Sequence, residues 1–234
     1  MNGRVLVIIP AYNEQSSILN VIKEIENVKH SKNDFSIDYI VINDCSVDST
    51  LDILKDNKKN YLSLPLNLGI GGGMQTGYRY AFENGYDVAI QVDGDGQHDA
   101  QFIERLAMAV LNEGFDLCIG SRFIEKKGFQ STGLRRIGIS WLSLMIRLTC
   151  GIKVYDVTSG FRAAGKRAIE TFALDYAQDY PEPESIVLCA KKKMNIKEVP
   201  VIMKERQGGV SSISPIKSIY YMLKVTLAIV FAGI

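Results

Sequence analysis

A chain of 234 residues, 47% of them hydrophobic and 23% charged, has the composition of an ordinary globular domain able to bury a substantial core. Its formal net charge of +1 supplies no general basic field for nucleic acid, so any anion must be held by local clusters. Cys45, Cys118, Cys150 and Cys189 form no CxxC pair and are joined by only two histidines, which argues against a zinc site or a disulfide framework and fits a reduced, cytoplasmic compartment.

In chain order, the apolar run at 5–9 comes too early for a secretion signal and is predicted to be the first strand. Residues 14–28 place Ile18, Val21, Ile22 and Ile25 in one stripe, which predicts a helix. A second strand is predicted at 37–42, and residues 44–50 offer several N-cap side chains to the next helix. A weaker strand at 61–64 precedes a glycine run at 69–73 that leads into a helix at 74–84. Strand 88–92, helix 100–113 and strand 115–120 complete an α/β alternation, the pattern of a mainly parallel sheet flanked by helices.

Beyond this point the pattern changes. Residues 125–131 are polar and glycine-containing, a loop able to close over a ligand, and 134–149 are predicted to be a helix apolar over much of its circumference, carrying Arg135, Arg136 and Arg147. No apolar run reaches the roughly 18 to 20 residues of a spanning helix, and the apolar tail at 225–234 is long enough only to dip into a membrane. The expected partition is a catalytic domain at 1–212 and an amphipathic, membrane-proximal segment at 213–234.

Polar clusters follow several predicted strands, where open α/β sheets bind ligands. Asp93 and Asp95 are two apart, so an extended backbone points both the same way, and Gly94 and Gly96 allow a sharp bend. Two carboxylates are too few for an all-protein calcium cage but suit Mg²⁺ or Mn²⁺ shared with a diphosphate; the plain alternative is a solvated acidic turn. Tyr12 offers an aromatic face to a base, and Asp44 can accept from the edge of one, although helix capping would equally explain Asp44 and Asp48. His98 beside the acidic turn reads as a partly exposed structural histidine, with metal ligation as the alternative.

Pro10-Ala11-Tyr12-Asn13-Glu14, Asn43-Asp44 with Asp48-Ser49-Thr50, Asn67-Leu68-Gly69 with Gly71, and Asp93-Gly94-Asp95-Gly96-Gln97 together resemble the inverting glycosyltransferases of family two, which have the Rossmann-like GT-A fold. The resemblance implies that Pro10, Tyr12, Glu14, Asp44 and Asp93 bind the nucleotide, that Gly71 lies near it, and that Asp93 and Asp95, helped by Gln97, hold Mg²⁺ or Mn²⁺ on the diphosphate. Asn43 stands where many members carry a second Asp.

The segments at 120–122, 156–162, 180–184, 198–200 and 206–211 look like the branch containing dolichyl-phosphate mannose synthase and bacterial polyprenyl-phosphate glycosyltransferases. That implies transfer of a hexose from a nucleotide diphosphate sugar, with UDP-glucose or UDP-N-acetylglucosamine favoured, to polyprenyl (undecaprenyl) monophosphate at the cytoplasmic membrane face. A phosphate monoester, with a second pKa of about 6, is already largely dianionic at neutral pH and needs no general base. It needs cations, for which Arg122, Arg135, Arg136 and Arg206 are candidates, the guanidinium forks matching phosphate oxygens; Arg122, Arg136 and Arg206, with the metal-holding Asp95, are the expected catalytic set.

The expected partners are the nucleotide sugar, the lipid phosphate and a membrane surface, with a small membrane protein or a second copy of the chain as further options and no nucleic acid. One rival is a glycosyltransferase acting on a sugar hydroxyl in capsule or cell-wall assembly, with Glu182 or Glu184 as base. The other is a nucleotide-sugar-binding or nucleotidyltransferase-like module without transfer.

Overall fold

The computed structural model describes residues 3–29, 35–128, 133–204 and 215–233. Its centre is β1 (Gly3–Ala11), whose neighbours are β2 (Phe35–Asn43) and β4 (Val88–Gln91), both parallel to it. Val5, Val7 and Ile9 face one side of the sheet and Leu6 and Ile8 the other, all buried. A strand covered on both faces reads as a continuous apolar run, which is why this one was legible.

The sheet has seven strands in the order β3-β2-β1-β4-β6-β5-β7, with β3 (Tyr61–Ser63), β5 (Leu117–Ser121), β6 (Arg162–Gly165) and β7 (Ile196–Pro200). Every pairing is parallel except those of β6 with β4 and β5. The helices α1 (Ile18–Lys29), α2 (Thr50–Asp56) and α4 (Ile103–Leu111) contribute to one buried layer. The other is built on α3 (Gly69–Glu83), α5 (Gly133–Cys150), α6 (Lys166–Leu174), α7 (Pro181–Lys191) and α8 (Pro215–Gly233). The chain leaves β1 toward β2 and β3 on one side, while β4 and everything beyond lie on the other. The carboxyl ends of β1 and β4 thus lie at the topological switch point where such sheets take ligands.

Three elements differ from the sequence expectation. The helix expected from residue 14 begins at Ile18, because the amides of Glu14 and Gln15 are drawn to Thr50 Oγ1 and Asp48 Oδ2. The glycine run lies inside α3 rather than before it: Gly71 presses on the 177–178 backbone and Gly77 on Ile8, and close packing offsets the poor helix propensity of glycine. Strand β6 had no sequence counterpart, since Arg-Ala-Ala-Gly has little β propensity and is buried throughout, without alternation.

Among the described residues no helix is long and apolar enough to cross a membrane. Helix α8 is seated on the body of the protein rather than set apart, with Val225 and Ile229 buried and Trp141 Nε1 donating to Thr226 Oγ1.

Candidate active site

The turn after β1 is stapled to the segment after β2. Asn13, at φ +58°, accepts from the Val47 amide through Oδ1 (2.9 Å) and donates its own N–H to Ser46 Oγ (3.0 Å). Glu14 N–H reaches Thr50 Oγ1, and Asp48 Oδ1 accepts from the Thr50 amide. Pro10 and Glu14 border the acidic turn, since a Cβ on Gly94 would lie 3.1 Å from Pro10 O and 3.3 Å from Glu14 Cγ. Tyr12 is left 48% exposed at this rim, available to a base.

Asp44 is buried, and its carboxylate caps α3: Oδ1 accepts from the Leu68 amide (2.7 Å) and Oδ2 from Gly69 (2.8 Å). This is the capping alternative, realised on a helix other than the one Asp44 precedes, where an acidic group also complements the helix dipole. Gly71 makes its close approach to its own chain: its N–H donates to Gln178 O (3.0 Å), and a Cβ there would stand 2.2 Å from the carbonyls of Ala177 and Gln178.

The acidic turn is tightly held. Asp93 Oδ1 accepts from Gln91 Nε2 (2.9 Å), and the Asp93 amide donates to His98 Nδ1 (3.0 Å). Asp95 is only 3% exposed and its Oδ1 accepts from the Gln97 amide, the bend being completed by Gly96 at φ +78°. Gln97 O in turn accepts from the Lys204 amide, tying the turn to the chain after β7. His98 is buried rather than partly exposed, and its ring stacks on Phe161 (4.8 Å, 11°). Its Nδ1 is spent on the backbone, so it acts as a brace for the turn.

In donor chemistry the two carboxylates fit a divalent cation, being hard oxygen ligands two residues apart on one turn. Among the described residues no group of three or more acidic, histidine or cysteine side chains could enclose a metal alone. Two carboxylates would leave coordination positions open to a substrate such as a diphosphate.

The expected arginines part company. Arg122 is buried and forked onto Asp156, Nε to Oδ2 at 2.7 Å and Nη2 to Oδ1 at 2.6 Å, with Thr158 Oγ1 also accepting from Nη2. Asp156 and Tyr155 donate their amides to Glu198, whose carboxyl burial pushes up. Arg136 is exposed on α5, beside a shallow depression lined by Gly133, Ile137 and Ser140. Arg206 lies outside the described residues.

Sequence reasoning passed over Arg162, which is fully buried. Its guanidinium donates to Ser159 O, Glu182 O and Ser185 Oγ, joining β6 to the start of α7. Its sequence signal is a lone cation closing the 156–162 segment.

Glu182 and Glu184 occupy the first turn of α7 but face different surroundings. Burial raises the carboxyl of Glu182, Arg162 pulls it down, and Asp93 raises it further, so that Glu182 lies within electrostatic reach of the acidic turn. Glu184 is likewise raised by burial, but its charged neighbours are Lys224, Asp179 and Asp175, away from the turn.

A mixed, largely parallel sheet with an acidic turn at its switch point defines a GT-A-like glycosyltransferase fold. Glucosyl-3-phosphoglycerate synthase from Mycobacterium tuberculosis, in complex with Mn²⁺, UDP and phosphoglyceric acid, has the same fold. It superposes with a TM-score of 0.72 at 20% identity, covering 99% of this chain and 78% of that one.

Residues 6–172 match the glycosyl transferase family 2 profile, and the chain belongs to that family. It is 30% identical over 217 residues to the UDP-N-acetylglucosamine–dolichyl-phosphate N-acetylglucosaminyltransferase of Methanococcus voltae, covering 84% of each chain. It is 32% identical over 220 residues to the undecaprenyl-phosphate mannosyltransferase of Micrococcus luteus, covering 90% of this chain and 88% of the relative.

Proposed function

We propose that this family 2 glycosyltransferase moves a hexose, with inversion, from a nucleoside diphosphate sugar to a polyprenyl monophosphate. One observation carries the choice of acceptor. Arg136 stands at the head of an exposed apolar stripe on α5, Ile137, Trp141, Leu144 and Leu148, at the spacing that sets side chains on one helical face. A phosphate at Arg136 with its isoprenoid chain along that stripe would occupy both features at once. Leu223, Leu227 and Phe231 expose a second stripe on the neighbouring α8, and the two suit a peripheral seat on a membrane surface. The names of the relatives, both lipid-phosphate glycosyltransferases, point the same way.

In this reading a phosphate oxygen of the lipid bonds to the anomeric carbon as the bond to the leaving diphosphate breaks. No residue has to accept a proton, because the phosphate is already dianionic. Tyr12 and the Pro10–Glu14 turn seat the nucleotide, with Asp44 shaping the pocket by fixing α3. Asp93 and Asp95, with Gln97, would hold Mg²⁺ or Mn²⁺, which supplies Lewis-acid neutralisation of the diphosphate charge. Arg136 and Arg206 are the proposed phosphate ligands. Arg122, already spent on Asp156, is better assigned to positioning the chain after β5 than to clamping phosphate directly. UDP-glucose and UDP-N-acetylglucosamine are the favoured donors, the second supported by the name of the Methanococcus relative.

Incubation with polyprenyl phosphate in liposomes, Mn²⁺ and a panel of labelled nucleotide sugars tests this. Label in an acid-labile lipid names the donor; no transfer from any donor rejects the proposal.

A second reading has its own support. Glu182, in the first turn of α7, has a carboxyl raised by burial and lies within electrostatic reach of Asp93, which would suit a base if the acceptor were a sugar hydroxyl.

A further inference from the structure

Gln91 is the last residue of β4, two before Asp93, and its side chain is buried among apolar strand neighbours. Nε2 donates to Asp93 Oδ1 at 2.9 Å, but Oε1 has no hydrogen-bond partner among the described residues. A half-satisfied buried amide is costly, and an apolar side chain of the same size would avoid that cost. Retaining the amide therefore has to be explained by what Nε2 does for Asp93.

The surroundings are built around that contact. A Cβ on Gly160 would lie 2.7 Å from Gln91 Nε2 and 3.4 Å from Asp93 Oδ2, so only glycine leaves room for the pair. On the backbone side, the Asp93 amide is held by His98 Nδ1, while His98 Nε2 stays 3.7 Å from Oδ2. Asp93 is thereby fixed at Oδ1 and at its amide, and Oδ2 receives no hydrogen bond from the described residues.

We propose that Gln91 is a positioning residue, which locks Asp93 so that it meets a divalent cation carried by the donor diphosphate through Oδ2 alone. Gly160 is the space that makes the lock possible. A carboxylate restricted to one oxygen suits the compact octahedral shell of Mg²⁺ or Mn²⁺ and disfavours Ca²⁺, which takes bidentate carboxylates readily. This rests on the reading of Asp93 and Asp95 as metal ligands.

The test is Mn²⁺ binding to the full chain in the presence of UDP, without acceptor, followed by the electron paramagnetic resonance of free Mn²⁺ alongside thermal unfolding. Outer-shell partners of metal ligands typically change affinity by about 10- to 100-fold, so Gln91→Met should bind Mn²⁺ about tenfold or more weakly. Its unfolding temperature should be equal to or above the parent's, since the orphaned Oε1 is gone. A purely structural hydrogen bond would lower stability and leave Mn²⁺ affinity alone. Should Gln91→Met fail to fold, Gly160→Ala, which crowds Nε2 from the other side, is expected to show the same loss of affinity.

A folded variant of either kind that binds Mn²⁺ within about threefold of the parent overturns the assignment of Gln91 alone. A parent protein that binds no Mn²⁺ with UDP overturns the metal reading and this inference together.

Discussion

Arg122 and Asp156, 34 residues apart, form a buried two-pronged ion pair that ties the end of β5 to the loop before β6. Removing one partner of such a pair leaves an uncompensated charge in the interior. Asp156→Ala is therefore expected to cost about 3–5 kcal/mol, read from urea denaturation. Replacing both residues by apolar ones, Arg122→Met with Asp156→Leu, should recover most of that loss. Equal instability in the single and double variants would contradict this account of the pair.

Gly71→Ala should be poorly tolerated, because its Cβ would meet the carbonyls of Ala177 and Gln178 at 2.2 Å and both belong to backbone. Overpacking of this kind costs about 1–3 kcal/mol and would push α3 away from the 177–178 loop. Thermal unfolding measures it, and an unchanged midpoint would show that this contact is not tight.

Glu182 supplies a pH test and a mechanistic one. Burial raises its carboxyl above the ordinary value of 4.5, so the folded chain holds this proton to higher pH than the unfolded chain. The stability it contributes is full below 4.5 and is lost as pH rises through the folded value. Glu182→Gln should accordingly be more stable than the parent at neutral pH, with the advantage vanishing in acid. If the acceptor is a phosphate, the same variant should keep transfer within about tenfold, whereas loss of a general base would cost about 10²- to 10⁴-fold.

The exposed stripe on α5 predicts where the protein meets lipid. Leu144→Glu and Leu148→Glu alter residues that are 45% and 69% exposed, so folding should survive. Flotation with anionic liposomes should fall sharply in the double variant. Unchanged flotation would move the membrane contact elsewhere.

What the sequence disclosed and what it hid divide on physical lines. β1 was legible because burial on both faces writes an unbroken apolar run, β4 from its shorter run at 88–90, and the paired acids after β4 stand at a strand end by local spacing alone. Strand β6 was hidden because Ala and Gly form a strand only when neighbours on both sides impose it. Asp44 was legible as a polar residue just past a strand, but the helix it caps begins 25 residues away, a distance no local pattern spans. The Arg122 pairing was hidden for the same reason, being made across segments that meet only once the sheet has formed.

The acceptor is the centre of the account, and one measurement addresses it directly. The protein would be given a single labelled nucleotide sugar with Mn²⁺ and offered, in parallel, polyprenyl phosphate, the matching polyprenol and a soluble oligosaccharide. The expected result is label in the polyprenyl phosphate product alone. Label in the oligosaccharide, with none in the lipid phosphate, would contradict the account and transfer the role of base to Glu182.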